Sequence, residues 1–367
     1  MGKIPISEPY IAKNQRRYVS DCIDSNWISS SGKYIKKFEE NFARFASSRH
    51  AISVCNGTCA LHLALAALGV KDGDEVIVPD LTFVATANSV AYTGARPVFV
   101  DIKKEDWCMD ASLIEEKITP RTKGIIPVHL YGNSCDMEKI TRIAKKHDIF
   151  VIEDAAEAIG ASYDGKQVGS IGDIGCFSFY GNKVITTGEG GICTTDNEEL
   201  KQKMELLKDH GMSKDEKYYH PVIGFNYRMT NIQAAIGLAQ LEDIDFILKQ
   251  RDRVCRLYSE LIKPIKGIEL AVPNKRSRSA CWLFSAMLND KFPIDRNELI
   301  SHLENDGLDS RPFFHPMHSL PSFREHKSYP ISEMASKNGF NLPTFTRLKD
   351  KQIETICKSI SSASKMN

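Results

Sequence analysis

Lys183 stands in a glycine-dense segment between two apolar pairs of residues. Phe177 and Phe179 precede it, and Val184 and Ile185 follow it, so its surroundings favour burial over full exposure. A lysine held among apolar groups has a lowered pKa and can form a Schiff base with a carbonyl compound. The alternative is a surface lysine in a turn, which is where most lysines lie.

Two adjacent acidic residues, Glu153 and Asp154, follow the apolar residues Val151 and Ile152. Open α/β sheets place their ligand sites at the carboxyl ends of strands. A carboxylate buried there is costly unless a cation lies beside it, and a protonated heterocyclic nitrogen or a metal ion would serve. No histidine or carboxylate follows at matching metal-ligand spacing. An ordinary N-cap by Asp154 is the alternative.

A polar turn at residues 56–58 stands between a strand-like segment and a helix-like one. The free amides at the start of a helix, together with the helix dipole, bind phosphate without needing a cation. Asn56, Gly57 and Thr58 are therefore candidates for a phosphate site. Simple capping of the helix by Asn56 or Thr58 is the alternative.

A second polar loop precedes a helix start at Thr230. Asn226 and Arg228 lie on this loop, and either side chain could reach an anion. Helix capping explains the segment equally well when it is considered alone. Each of the four segments has an ordinary structural explanation when it is considered alone, so only their combination indicates a functional site.

Alternating strand-like and helix-like segments must position these groups. Strands are predicted at residues 51–54, 75–78, 97–100, 124–128, 150–152, 174–179 and 191–195. Helices are predicted at residues 60–69, 84–93 and 136–147. Strands that alternate with helices indicate a mainly parallel sheet with both faces covered, which is the α/β class.

The pattern changes after Gly237. A long charged helix at residues 241–261 is followed by a strand at 280–288 and a helix at 296–306. We therefore predict two domains, a large one at residues 1–244 and a smaller α+β one at residues 245–367. The chain length fits two domains of ordinary size.

Composition excludes several classes of protein. The 367 residues are 42% hydrophobic and 26% charged, which is typical of globular proteins and argues against disorder. The formal net charge of +1 gives no overall basic excess for nucleic acid or an anionic membrane. The longest apolar run, residues 60–70, is too short for a membrane span, and the amino terminus lacks a signal-peptide core. We expect a cytoplasmic protein.

The ten cysteines are scattered and contain no Cys-x-x-Cys pair. Cys55 and Cys59 are the closest two, and no histidine or cysteine follows them at zinc-finger spacing. We expect no metal site. Reduced thiols are the expected state of the cysteines in such a compartment.

The four segments together resemble the DegT/DnrJ/EryC1/StrS-type sugar aminotransferases, which use pyridoxal 5′-phosphate (PLP) and have the aspartate-aminotransferase fold (fold type I). The resemblance extends over nearly the whole chain, and residues 177–191 are its most specific part. Further matching segments are residues 5–9, 26–30, 79–88, 309–316 and 341–343. The resemblance implies a mainly parallel sheet flanked by helices, with a smaller α+β C-terminal domain.

The resemblance also implies roles for individual residues. Lys183 would bind PLP covalently and move a proton, and Asp154 would pair with the pyridinium nitrogen. The phosphate would contact the amides of Gly57, Thr58 and Cys59 and the hydroxyl of Ser178. The other implied cofactor contacts are ring stacking by Phe83, a position near the phenolic oxygen for Glu157, and a phosphate contact from the partner subunit's Asn226.

The last of these contacts implies a homodimer with shared active sites. Glu157 stands where many relatives carry glutamine. Because an ionised carboxylate would be repelled by a phenolate, we expect Glu157 to share a proton or to turn toward another donor. Cys59 stands at a position that is usually small, but its implied contact is through the backbone.

Within the family, the chain looks most like the enzymes that aminate C4 of GDP-4-keto-6-deoxy-D-mannose, with L-glutamate as the amino donor, for O-antigen or polysaccharide biosynthesis. Candidate substrate contacts are Trp27, Ser29, Arg311 and His315. A UDP- or dTDP-linked keto-sugar or another phosphorylated ketone is the alternative substrate. A regulatory or scaffold protein that keeps the fold is the alternative outside enzymes, and it predicts loss of Lys183 or Asp154.

Overall fold

The structure is a computed structural model in which residues 3–366 are described. Its helices are α1 (Gln15–Asp24), α2 (Lys33–Ala46), α3 (Gly57–Ala67), α4 (Ala85–Tyr92), α5 (Met137–His147), α6 (Glu198–Lys208), α7 (Asn231–Glu242), α8 (Ile244–Ile262), α9 (Arg296–Asn305), α10 (Pro330–Asn338) and α11 (Asp350–Ala363). Within residues 3–366, none of these helices has the length and apolar character needed to cross a bilayer.

The strands are β1 (His50–Val54), β2 (Glu75–Pro79), β3 (Arg96–Val100), β4 (Thr122–Ile125), β5 (Phe150–Asp154), β6 (Ser162–Tyr163), β7 (Lys166–Gln167), β8 (Ile174–Ser178), β9 (Gly191–Thr195), β10 (Ile268–Leu270), β11 (Ser277–Arg278), β12 (Phe284–Leu288), β13 (Arg311–Pro312) and β14 (Gly339–Leu342). Seven of them form the main sheet, in the order β1-β9-β8-β5-β4-β2-β3. Strand β9 runs antiparallel to both of its neighbours, and the other pairs are parallel.

The main sheet is covered on both faces. Every residue of β2, β8 and β9 is buried, including side chains that point to opposite sides of the sheet. Such continuously buried strands are typical of parallel sheets between helix layers. The predicted α/β class, with its mainly parallel sheet and smaller C-terminal sheet, is confirmed.

The parallel strands bring the predicted site residues to one edge of the sheet. Strand β1 leads into Gly57 at the start of α3, β5 ends at Asp154, and β8 ends at Ser178. Since β5 and β8 are parallel neighbours with Asp154 opposite Cys176, their carboxyl ends lie side by side. Residues far apart in sequence therefore meet at one edge.

The segment that carries Lys183 connects two neighbouring strands, β8 and β9. Gly191 begins β9 where its backbone passes close to the turn before α3. A Cβ atom at Gly191 would lie 2.4 Å from the carbonyl oxygen of Asn56, so a side chain is sterically excluded. This close approach fixes the lysine segment beside the candidate phosphate turn.

A second sheet, antiparallel throughout with the order β10-β12-β14-β13, forms the C-terminal part. The predicted helix at 241–261 is wrong in one respect, because α7 ends at Glu242 and α8 begins at Ile244, with non-helical Asp243 (φ −99°, ψ 11°) between them. The first described residues join the C-terminal part: the Ile4 amide donates to the Gly307 carbonyl at 2.9 Å. The division at 244/245 stays a prediction, and its outer ends (residues 1–2 and 367) lie outside the described residues.

The predicted strand at 280–288 begins later, at Phe284. Cys281 has φ +49°, which is incompatible with a strand, and its sulfur forms a disulfide with Cys255 on α8. The expectation that the cysteines are all reduced is therefore wrong at these two positions. Their Cα atoms lie 6.4 Å apart because α8 packs against the segment before β12, a contact that a separation of 26 residues does not reveal.

Candidate active site

A cavity of about 410 Å³ lies at the carboxyl edge of the main sheet. Its wall contains eight of the residues singled out from the sequence: Asn56, Gly57, Thr58, Phe83, Asp154, Glu157, Ser178 and Lys183. Four separate segments of the sequence thus contribute to one enclosed space. The cavity is large enough for a substituted aromatic ring with its phosphate, since ligand pockets usually begin at about 300 Å³.

Asp154 lies at the end of β5 with its carboxylate buried. One oxygen accepts a hydrogen bond from the Thr86 hydroxyl at 2.8 Å, and the other accepts from the Ala156 amide at 3.1 Å. Burial raises the pKa of Asp154 above its usual range, although both hydrogen bonds oppose the shift. Within the described residues, no cationic nitrogen lies within 4.0 Å of this carboxylate. The arrangement favours a cation supplied by a ligand.

Lys183 and Glu157 face each other across the cavity. The Lys183 Nζ atom lies 3.7 Å from Glu157 Oε1, and the lysine side chain is only 12% exposed. Burial lowers the pKa of Lys183 below its usual range, while Glu157 and Asp154 oppose the shift. The amine is therefore more easily deprotonated than that of a surface lysine, as a nucleophile requires.

Glu157 turns one carboxylate oxygen toward a backbone donor, the Tyr131 amide, at 2.8 Å. Burial raises the pKa of Glu157 to about 7, against the opposing charge of Lys183. This side chain is thus close to its midpoint of protonation at neutral pH. The geometry agrees with the expectation that Glu157 turns toward another donor.

Two residues that the sequence analysis missed hold the catalytic candidates in place. The Lys183 Nζ atom lies 3.9 Å from the centre of the Trp282 ring, and the Trp282 Nε1 atom donates to the Asn182 carbonyl at 2.9 Å. Thr86, the donor to Asp154, is also new. Trp282 lies about 100 residues beyond Lys183, a separation that leaves no local signal, but Thr86 lies one helical turn after Phe83 and could have been considered.

The first turn of α3 forms one wall of the cavity. Asn56 caps the helix, and its side-chain oxygen accepts from the Cys59 amide at 2.8 Å. The amides of Gly57 and Thr58 precede the first intrahelical hydrogen bond and therefore remain for a ligand. A Cβ atom at Gly57 would lie 2.8 Å from Cβ of Ser178, so the turn packs directly against the end of β8.

Phe83 forms an apolar wall of the cavity. Its ring is 55% exposed and lies 5.6 Å, centre to centre, from the ring of Phe314 in the C-terminal part. Its position suits stacking against a planar ring.

Other predicted site residues lie away from the wall of this cavity. Trp27 is 56% exposed, Arg311 bonds to Asp309 at 3.2 Å, and Asn226 accepts from Arg228 at 3.2 Å. Ser29 and His315 are also exposed, and Cys59 has its amide committed to Asn56. The predicted roles of Trp27, Ser29, Cys59, Asn226, Arg311 and His315 stay predictions.

Glu153 belongs to a different environment from Asp154. Its carboxylate accepts from the amides of Gly169, Ile171 and Gly172 and is 3.0 Å from Nε2 of His129. The Cys135 amide donates to Nδ1 of His129, so Nε2 carries the hydrogen and donates it to Glu153. Both side chains are completely buried, and neither lines the cavity.

Comparison with known proteins agrees with this geometry. Residues 9–361 match the model of the DegT/DnrJ/EryC1/StrS aminotransferase family. Two curated relatives are each named GDP-perosamine synthase and each is 46% identical, one from Caulobacter vibrioides and one from Escherichia coli O157:H7. The alignments cover 98% of this chain and 98% of each relative.

A solved structure extends the likeness to the fold. The protein Spr1654 from Streptococcus pneumoniae, in its PMP-form, superimposes with a TM-score of 0.93 at 30% sequence identity. The match covers 99% of this chain and 98% of that one. The same protein is also known in a PLP-form, with a TM-score of 0.92.

Proposed function

Because this chain belongs to the DegT/DnrJ/EryC1/StrS aminotransferase family and is a PLP-dependent sugar aminotransferase, we propose that it transfers the amino group of L-glutamate to C4 of GDP-4-keto-6-deoxy-D-mannose. The product would be the GDP-linked 4-amino sugar. The likeness to two GDP-perosamine synthases supports this choice of substrate. The observation that carries the proposal is the meeting of Lys183, Asp154 and the first turn of α3 in one cavity.

The cavity fits PLP on four independent grounds. Asp154 is a buried carboxylate without a cationic partner among the described residues, which suits a protonated ring nitrogen. The amides of Gly57 and Thr58 and the hydroxyl of Ser178 line the same wall and suit a phosphate. Lys183 provides a buried amine of lowered pKa, and Phe83 an exposed ring face.

When bound, PLP supplies an electron-accepting ring that stabilises negative charge at the carbon bearing the amino group. Lys183 would hold the cofactor covalently in the resting enzyme. Once the substrate has taken its place, the free Nζ would accept the proton from that carbon and donate it to C4′ of the cofactor. The lowered pKa of Lys183 favours the neutral amine that this role needs. The ring of Trp282, which lies 3.9 Å away, limits where Nζ can move.

Asp154 would keep the ring nitrogen protonated, and the Thr86 and Ala156 hydrogen bonds orient its carboxylate. Glu157 has a pKa of about 7 and lies near Lys183, so it can stay neutral beside a phenolic oxygen and donate a hydrogen bond to it. A buried neutral carboxyl avoids the repulsion that an anion would suffer there.

Changing Lys183→Ala tests the catalytic assignment. The variant should lose the visible absorbance of the PLP–lysine linkage and all measurable amino transfer. Lys203→Ala on α6, at an exposed position, is the matched control and should keep both. Borohydride reduction followed by trypsin should place the adduct in a peptide of residues 167–201, because a modified Lys183 resists cleavage. An adduct on another lysine would refute the assignment.

A panel of nucleotide-linked 4-keto sugars tests the substrate. We expect the GDP-linked 4-keto-6-deoxymannose to give the highest kcat/KM, with 2-oxoglutarate released from L-glutamate in equal amount. A higher kcat/KM for a UDP- or dTDP-linked sugar would instead assign the alternative substrate. The cytoplasmic location expected from the sequence stays a prediction.

We also propose that the active enzyme is a homodimer in which the partner subunit's Asn226 contacts the phosphate. The side chain of Asn226 lies outside the wall of the cavity in its own chain. Large apolar side chains, including Trp27, Tyr92 and Ile223, are more than half exposed in the single chain and are available for burial against a partner subunit.

Mixed dimers test the sharing of sites. Lys183→Ala and Asn226→Ala subunits should each be inactive or impaired alone, but a mixed dimer would contain one site with both intact residues. We expect activity to return when the two variants are refolded together. No recovery, in a preparation shown by mass to contain mixed dimers, would mean that Asn226 does not act across the interface.

A further inference from the structure

Cys55 and Cys59 lie on either side of the residues that would hold the phosphate. Their sulfur atoms are 3.4 Å apart. A disulfide bond is about 2.05 Å long, so closure requires the two atoms to approach by roughly 1.4 Å. Such a movement is within reach of side-chain rotation and a small adjustment of the turn. The pair is a dithiol that is nearly in position to close.

The same two cysteines are the accessible ones. Of the eight free cysteines in residues 3–366, six are buried, and only Cys55 and Cys59 are partly exposed. Cys176 and Cys193 are also neighbours, as cross-strand partners in β8 and β9, but both are buried. Oxidation requires proximity and access together, and the Cys55–Cys59 pair has both.

The two sulfurs also have different reactivities. A hydrogen bond with Cys59 lowers the pKa of Cys55 to about 7, and the same interaction raises the pKa of Cys59. Near neutral pH, Cys55 is thus partly the thiolate, which is the nucleophilic form. Cys59 stays a thiol and stands next to it. This is the division into an attacking and a resolving cysteine found in redox-active pairs.

We propose that Cys55 and Cys59 form an oxidisable dithiol whose closure by a peroxide weakens the binding of PLP at the start of α3. The Cys55 thiolate attacks the peroxide, which gives a sulfenic acid and one molecule of water (or alcohol) after protonation. The Cys59 thiol then attacks the sulfenic sulfur, the disulfide forms, and a second water leaves. Two thiols are oxidised, and the peroxide is reduced.

Closure would act on the phosphate amides because they lie inside the loop that it forms. Gly57 and Thr58 lie between the two cysteines, and the Cys59 amide bonds to Asn56 across the same turn. Ser178 and Gly191 pack against this turn at distances that leave no room for a Cβ atom, so the turn cannot move toward the sheet. Any part of the closure that side-chain rotation does not supply would therefore reorient the turn itself. This coupling to PLP rests on the proposed phosphate site, but the dithiol does not.

Mass analysis tests closure. The purified full-length chain, without and with PLP, is treated with hydrogen peroxide, alkylated and digested with trypsin. Residues 50–71 form one tryptic peptide with Cys55 and Cys59 as its only cysteines, so closure lowers the mass of that peptide by two hydrogens and prevents alkylation. We expect this change, and we expect it to be slower with PLP bound, because the bound phosphate would hold the turn that closure has to move.

The buried pair is the matched control. Cys176 and Cys193 lie in different tryptic peptides, residues 167–183 and 184–201, and a disulfide between them would join the two. We expect no such product under conditions that close the 55–59 pair. A 50–71 peptide that stays fully alkylated, or that carries sulfinic acid in place of a disulfide, would overturn the proposal.

PLP binding tests the consequence. After oxidation, the dissociation constant of PLP, followed by absorbance, should rise about fivefold or more, the lower end of usual coupling between sites, and a dithiol reductant should reverse it. Cys55→Ser should be insensitive to peroxide, while Cys176→Ser should respond as the unchanged chain does. Closure without any change in PLP affinity would overturn the coupling. Failure of every sample to bind PLP would instead refute the proposed function and leave the peptide result intact.

Discussion

Glu153 and Asp154 are neighbours in the chain, but their carboxylates have opposite surroundings. Glu153 accepts hydrogen bonds from three amides of the 169–172 turn and from His129, so all of its acceptor positions are used by the protein. Asp154 accepts from one hydroxyl and one amide only. Hydrogen bonds with His129 and the turn lower the pKa of Glu153, although burial opposes them, whereas burial raises that of Asp154.

The difference separates a structural carboxylate from one reserved for a ligand. Both are buried on the same strand, so neither burial nor position in the sequence distinguishes them. The completeness of their hydrogen bonding does. A carboxylate whose partners are all internal stabilises the fold, and one left without a cation is prepared to receive one from outside.

Glu153→Gln should give the largest effect, on stability. The glutamine amide would place a donor group against backbone amides and His129, which all donate, and the charge would be lost. We expect the free energy of unfolding in urea to fall by about 3–5 kcal/mol, as when one partner of a buried polar network is removed. A fall of less than 1 kcal/mol would show that Glu153 is not the anchor described above.

Asp154→Asn should affect activity with little change in stability. We expect kcat/KM to fall by about 100-fold to 1,000-fold, as when a preorganised electrostatic group is removed from an active site. The unfolding free energy of the cofactor-free chain should change by less than about 1 kcal/mol, because the Thr86 hydroxyl can rotate to accept from the new amide. Equal losses in stability for Asp154→Asn and Glu153→Gln would abolish the distinction between them.

Glu157→Gln should change how the free energy of unfolding depends on pH. The pKa of Glu157 is raised to about 7 in the fold, so its contribution to stability is present below its ordinary pKa and is lost as the pH rises through about 7. The variant should therefore be more stable than the unchanged chain at pH 8, by up to about 3 kcal/mol, and the difference should shrink toward pH 5. Urea unfolding of the cofactor-free chain at the two pH values measures it.

For the Glu153→Gln variant, the stability difference from the unchanged chain should depend on pH in the opposite direction. Because the pKa of Glu153 is lowered in the fold, its contribution is present above its ordinary pKa and is lost as the pH falls through the lowered value. The stability deficit of that variant should hence be full at pH 8 and smaller in acid. A pH dependence of the same sign for both variants would contradict the comparison.

Thr86→Val should have the smallest effect. It removes the 2.8 Å hydrogen bond to Asp154 and keeps the shape of the side chain. We expect a loss of about fivefold in kcat/KM, in line with one hydrogen bond of about 1 kcal/mol. Thr86→Ser, which keeps the hydroxyl, is the matched control and should retain most of the activity. An unchanged Thr86→Val variant would show that Asp154 is oriented by other contacts.

The sequence was sufficient to predict the site residues that lie at the carboxyl ends of strands. Strands β1, β2, β3 and β9 are short apolar runs bounded by turns, and they appear close to the predicted positions. Asp154 and Ser178 end two further strands, β5 and β8, so their meeting at one edge follows from the parallel order of these strands. Lys183 was found by its chemistry and by family resemblance, not by periodicity.

The sequence could not predict contacts made by the C-terminal part. Trp282 reaches Lys183 only because the segment before β12 folds back onto the main sheet, and the Cys255–Cys281 disulfide arises from the same packing. The residues next to these positions in the sequence give no sign of either contact. The break at Asp243 was missed for a different reason, because a single residue separates α7 from α8 and no glycine or proline marks the boundary. The distinct surroundings of Glu153 and Asp154 likewise required the positions of the 169–172 turn and α4.

The connection between β8 and β9 affects when, during folding, Lys183 reaches its position. These strands are antiparallel neighbours, so residues 179–190 form a closed hairpin connection, whereas β5, which carries Asp154, pairs in parallel with β8 across the longer connection of residues 155–173. Short-range closure loses little chain entropy and can occur early, while the long-range pairings form more slowly. The backbone around Lys183 can thus fold before Asp154 takes its place in the sheet. The topology of the sheet would then determine the order in which the two residues reach the site.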